Sequence, residues 1–83
     1  MDVLYFAWVR ESVGTGHEQV DPPEALRNVA DLICWLSERS PGHAAALSDP
    51  ARLRAAIDQR FVPLDALLGD AREVAIFPPV TGG

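Results

Sequence analysis

Residues 2–10 alternate between two sides, with Val3, Tyr5, Ala7 and Val9 on one and Leu4, Phe6, Trp8 and Arg10 on the other. A period of two predicts a strand over 2–10. Both sides are apolar, so the strand is either central and covered twice or leaves one side as an exposed docking face. Ser12-Val13-Gly14-Thr15-Gly16 reads as the turn after it, and His17 to Val20 pairs back as a second strand. Asp21-Pro22-Pro23 then breaks the sheet.

Helical spacing follows. Val29, Leu32, Ile33 and Leu36 fall at i, i+3, i+4 and i+7, an apolar stripe. Two starts are open. Pro23 can occupy the first turn after Asp21 or Pro22, or Asn28 can cap the helix with Asp31 three residues on. The later start suits the well-packed part. Ser40-Pro41-Gly42 ends the helix, His43 to Leu47 adds one further helical turn, and Ser48-Asp49-Pro50 is a loop. Leu53–Ile57 and Arg60–Val62 read as a hairpin around Asp58-Gln59, a weaker turn signal than Asn-Gly. Leu64 to Asp70 reads as a single tight helical turn closed by Gly69, and Arg72 to Phe77 as the last strand.

Two strands, a main helix, a hairpin and a final strand predict an α+β fold, a mixed sheet wrapped on one main helix. The first and last strands lie parallel in its centre, because the helix supplies the crossover that parallel pairing needs. One helix covers only one face of the sheet. The other face, with Phe6 and its neighbours, is therefore expected to dock on a partner.

Eighty-three residues, 48% of them hydrophobic, make one small domain rather than a disordered chain. A net charge of −5 disfavours nucleic acid and favours basic protein partners. No apolar run approaches the roughly 20 residues of a membrane span. The opening Met1-Asp2-Val3 lacks the positive start and cleavage site of a signal peptide, and the one cysteine cannot form an internal disulfide, so a cytoplasmic location is expected. All seven basic residues are arginine, so no lysine is present for Schiff-base chemistry.

Conventional catalytic groups are scarce. His17 and His43 are far apart with no further ligand at metal spacing, so no metal site is expected. Cys34, beside the helix stripe, is expected to be a buried, inert thiol. No Gly-x-x-x-x-Gly-Lys phosphate loop occurs, so no cofactor is expected on this chain, and any ATP is bound by a partner.

What remains is the carboxyl end. Phe77-Pro78-Pro79-Val80-Thr81-Gly82-Gly83 follows the apolar run Glu73-Val74-Ala75-Ile76-Phe77. Pro78 and Pro79 have no N–H and stop sheet pairing, so residues 1–77 form the domain and 78–83 an extended tail. That tail can reach about 20 Å at about 3.3 Å per residue. Gly82 and Gly83 place no side chain at its tip, as passage through a narrow channel requires. A carboxylate repels nucleophiles; as a mixed anhydride with AMP it carries a leaving group that sulfur can displace.

The run Arg72-Glu73-Val74-Ala75-Ile76-Phe77-Pro78-Pro79-Val80-Thr81-Gly82-Gly83 resembles the C-terminus of the small, ubiquitin-like subunit of molybdopterin synthase. Val3 to Ala7, Val9-Arg10-Glu11 and Val13-Gly14-Thr15 resemble the same family's opening. The resemblance implies a β-grasp (ubiquitin-like) fold and a sulfur carrier for molybdenum cofactor biosynthesis, inactive alone. It implies that an activating enzyme adenylates Gly83 using ATP and a sulfurtransferase loads sulfur as a thiocarboxylate. The tail then enters the large subunit of a 2:2 heterotetramer and gives the sulfur to a cyclic pyranopterin precursor. By position, Gly83 is the reacting residue and Gly82 the slim neck behind it. Phe6, Phe61 and Phe77 match apolar docking positions, and Arg10 an interface or tail-bracing position. Pro78, Pro79, Val80 and Thr81 form the inserting segment. Trp8 departs from a commonly polar position. A carrier for thiamine, tRNA or cysteine sulfur, or a plain β-grasp interaction module, is the alternative.

Overall fold

The computed structural model describes residues 1–79. Its strands are β1 (Asp2–Tyr5), β2 (His17–Gln19), β3 (Arg54–Ile57), β4 (Arg60–Val62) and β5 (Glu73–Phe77). They form one sheet in the order β2-β1-β5-β3-β4. β1 and β5 run parallel in the middle and every other pair is antiparallel. The helices among the described residues are α1 (Ala7–Val13), α2 (Val29–Ser37) and α3 (Pro41–Leu47), with a 3-10 turn at Pro50–Arg52. This is the β-grasp arrangement expected from the sequence.

The first strand is shorter than its alternation predicts. β1 stops at Tyr5, and Ala7 adopts φ 53° to divert the chain into α1. The residues satisfy two periods at once. Val9 and Val13 stand four apart, and Gly14 at φ 100° closes the helix by donating its N–H to the Arg10 carbonyl. Burying Val9 against the core selects the helical period. This turn takes Trp8 out of the sheet and places it near the end of β5.

The predicted stripe of α2 is buried at all four positions, Val29, Leu32, Ile33 and Leu36. Of the two open starts, the structure takes Asn28: its Oδ1 accepts from the Asp31 N–H at 2.8 Å, and Asp31 accepts back from the Arg27 N–H at 3.0 Å. Ser40-Pro41-Gly42 starts α3 as well as ending α2, because Ser40 caps α3 and Pro41 fits its first turn. Gly42 is needed where α1 and α3 cross, since a Cβ there would collide with the Ser12 carbonyl oxygen. Cys34 is exposed rather than buried. It lies one step past Ile33 on the helix, which turns it away from the stripe.

Leu64 to Asp70 is not a helical turn. A turn at Leu64–Asp65 leads into a bridge between Leu67 and Asn28. The segment serves the start of α2: the Val29 N–H donates to Ala66 O and the Ala30 N–H to Leu64 O. Those N–H groups have no partner inside their own helix, so satisfying them outweighs local helix formation.

Candidate functional site

The strand registers carry one row of side chains across the outer face of the sheet. Leu4 pairs with Ala75, Ala75 with Ala56, and Ala56 with Phe61. The row one residue along, Tyr5, Ile76, Ala55 and Val62, faces the helices. Alanine at the two central outer positions leaves a hollow, and larger side chains stand around it. The result is an apolar depression of about 390 Å³ lined by Leu4, Phe6, Ala56, Phe61, Ala75 and Phe77, with Gln59 and Glu73 as polar lining. Phe61 is 82% exposed and Phe6 48%. Phe61 and Phe77 pack with ring centroids 5.5 Å apart. The structure thus gathers the three expected docking phenylalanines on one face. Exposed aromatic rings around a concave apolar centre are the chemistry of a protein interface rather than a core.

β5 ends at Phe77, and Pro78 and Pro79 carry the chain on from the edge of this depression. Val80, Thr81, Gly82 and Gly83 lie outside the described residues. Arg10 has its side chain over Gly16, where an added Cβ would come within 3.1 Å of its Nε. Trp8, Ala51 and Arg52 line a cleft with Pro78 and Pro79.

On the helix side lies a polar cluster that sequence spacing did not reveal. Glu18 Oε2 accepts from the Tyr5 hydroxyl at 2.7 Å and lies 2.8 Å from Nε2 of the buried His43. The other ring nitrogen of His43, Nδ1, lies 2.7 Å from the Ser40 hydroxyl oxygen. Arg39 Nε stands 3.7 Å from Glu18 Oε1. Burial pushes the Glu18 pKa up, but hydrogen bonds from His43 and Tyr5 and the charges of His43 and Arg39 outweigh it and hold the carboxyl below its usual 4.5. Burial, with the Glu18 hydrogen bond and charge, pushes the Tyr5 phenol well above its usual 10.0. Every buried side-chain polar atom among the described residues has a partner, so the cluster works as an internal tie between β1, β2 and α3. His17, by contrast, is exposed and contacts Asp2 Oδ1 at 3.0 Å. Among the described residues no group of three or more His, Cys, Asp or Glu side chains is arranged to hold a metal ion. No helix there is long and apolar enough to cross a membrane.

Residues 3–83 match the model of the ThiS family. The chain belongs to the ThiS family. It is 47% identical over 85 residues to the molybdopterin synthase sulfur carrier subunit of Escherichia coli K12, covering 98% of this chain and 96% of that one. It is 36% identical over 85 residues to the protein of the same name from Mycobacterium tuberculosis, covering 100% and 96%. Among solved structures, a Pyrococcus furiosus protein described as molybdopterin converting factor, subunit 1, superposes with a TM-score of 0.74 at 31% identity over 95% of both chains. SAMP1 from Haloferax volcanii, at 24% identity and a TM-score of 0.73 over 100% of this chain and 98% of its own, shares the fold. The sulfur-carrier role that the resemblance implied is the one the Escherichia coli and Mycobacterium tuberculosis proteins bear in their names.

Proposed function

We propose that this chain is the sulfur-carrying small subunit of a molybdopterin synthase, with Gly83 as the reacting residue. The observation that supports the reading most is the conjunction of a Pro-Pro exit from the central strand with an aromatic-rimmed apolar face beside it. The face docks the body on a large subunit, and the tail, ending in Gly82 and Gly83, reaches that subunit's acceptor. The pair assembles as a 2:2 heterotetramer in the cytoplasm.

The chemistry begins with an activating enzyme that binds ATP. The Gly83 carboxylate attacks the α-phosphorus, forming an acyl adenylate and releasing pyrophosphate. A sulfur nucleophile at the sulfide level, supplied by a sulfurtransferase, attacks the acyl carbon, and AMP leaves with the C–O bond pair. The product is a thiocarboxylate, a soft nucleophile whose sulfur attacks an oxygen-bearing carbon of the cyclic pyranopterin precursor, forming a C–S bond as that carbon's C–O bond breaks and the oxygen leaves with the bonding pair. Water then cleaves the acyl C–S bond and regenerates the Gly83 carboxylate. This chain contributes positioning of the reacting end, which is worth several kcal/mol when the tip is held at its target. Partners contribute the nucleotide site and the groups that stabilise developing charge.

Intact mass after incubation with the activating enzyme, ATP and a sulfur donor tests the reading. One oxygen exchanged for sulfur, localised to Gly83, is the expected result; an unchanged mass beside a control carrier that is converted would overturn it.

A further inference from the structure

Proline ends the hydrogen-bond ladder at Phe77, because neither Pro78 nor Pro79 has an N–H to donate. With no backbone donor at either position, the direction in which the tail leaves the sheet depends on the side chains packed beside the prolines. Two neighbouring elements supply them. On one side, the Phe6 N–H donates to Ile76 O at 3.2 Å, extending the β1–β5 ladder by one residue before Ala7 turns the chain into α1. That turn sets Trp8 beside the root of the tail. On the other side Arg54 pairs with Phe77, so Arg52, two residues earlier, stands level with the prolines. Trp8, Ala51, Arg52, Pro78 and Pro79 line one cleft of about 290 Å³. Within it the Arg52 guanidinium carbon lies 4.8 Å from the centroid of the Trp8 ring, a cation–π distance.

We propose that the Trp8–Arg52 pair is a positioning bracket for the tail: it fixes the exit direction of Pro78-Pro79 and so the approach of Gly83 to its partners. The proposal rests on the sulfur-carrier reading for its functional half. Two consecutive prolines form a stiff, polyproline-like lead. Any angular play at the root of such a lead is magnified at a tip up to about 20 Å away. Holding the root in the free protein removes part of the ordering cost when the tail enters a partner, which favours productive binding without touching the chemical step. Trp8 and Arg52 are positioning residues in this account, and neither contacts the reacting atoms.

The test uses the full-length chain and two readouts. The first is the set of nuclear Overhauser contacts between the Trp8 indole and the Pro78 and Pro79 ring protons. They are expected in the wild type, lost in Arg52→Ala, and kept in Arg52→Lys, which retains a cation over the ring. The second is steady-state sulfur transfer by pre-thiolated carrier with the large subunit. Arg52→Ala is expected to raise KM for the carrier about two- to five-fold at unchanged kcat, and Arg52→Lys to recover most of the loss. Arg52 is exposed, so this variant tests the bracket even if Trp8→Ala fails to fold. Unchanged contacts and kinetics in Arg52→Ala would overturn the proposal. So would equal kinetic losses in both Arg52 variants with the contacts intact, which would make Arg52 a direct partner contact. A lowered melting temperature with normal contacts and kinetics would reduce the pair to a structural role. The magnetic-resonance readout needs no sulfur, so a wild type that never accepts sulfur would refute the carrier reading while the bracket is still judged.

Discussion

At the scale of single residues, the hairpin turn and the half-buried acid Glu18 carry the clearest consequences. Asp58 at φ 48° and Gln59 at φ 71° both occupy left-handed backbone, the requirement of the tight hairpin turn that Asn-Gly satisfies best. Asp58 compensates, since its Oδ1 accepts from the Arg72 and Glu73 N–H groups at 3.0 Å each. Gln59 has no such return, so Gln59→Gly is expected to stabilise the fold by up to about 1 kcal/mol in urea unfolding. Glu18 gives the pH dependence. Its folded pKa is held below 4.5, so its contribution is present above that value and is lost as pH falls through the depressed one. Tyr5 has the opposite sign: its raised pKa contributes fully below 10.0 and the contribution is lost at higher pH. Urea midpoints across pH should therefore drop below about pH 4.5, and Glu18→Gln should flatten that acid limb while lowering stability at pH 7 by about 1–3 kcal/mol. An acid limb unchanged by Glu18→Gln would show that the cluster does not set it.

At the scale of elements, the outer sheet face is built from alternation in β1 and β5 joined to the β3–β4 hairpin. The individual strands were legible in the residues: the hairpin, the last strand and the α2 stripe lie within about a residue of their expected bounds. The extent of β1 was not, because Val3 to Val13 fits both a strand and a strand-plus-helix, and only burial of Val9 distinguishes them. The face yields a prediction. Phe61 is 82% exposed, so Phe61→Asp should change folding stability by no more than about 0.5 kcal/mol. Affinity for the large subunit, measured calorimetrically, should fall about thirty-fold, corresponding to about 2 kcal/mol at an aromatic anchor. Phe77→Asp should weaken binding too, with some loss of stability because Phe77 is half-buried and packs on Phe61. Unaltered affinity in both variants would move the interface elsewhere.

At the scale of the whole molecule, the proposal assigns docking to the folded body and the chemistry to the tail. The core lies between the inner sheet face and the helices, and it leaves the outer face and the Pro-Pro exit side by side. Deleting Gly83 should leave large-subunit binding in place and abolish sulfur transfer, measured by product formation with the complete set of partner proteins. Residues fused beyond Gly83 should do the same unless removed. Sulfur transfer that survives either change would place the reacting group elsewhere in the chain.

The residues alone determined where sheet pairing stops, since Pro78 and Pro79 lack an N–H whatever surrounds them, and the same local reading is the ground of the proposal for Gly83. They also determined which stretches are amphipathic, because period is a local property. The tertiary structure decided what depends on residues far apart in the chain. It brought Glu18, His43 and Tyr5 into one cluster, turned Cys34 outward, used residues 64–68 to satisfy the start of α2, and set Trp8 against Arg52. Those outcomes follow from burial and from the pairing of backbone groups across the fold, and no window of sequence contains both partners.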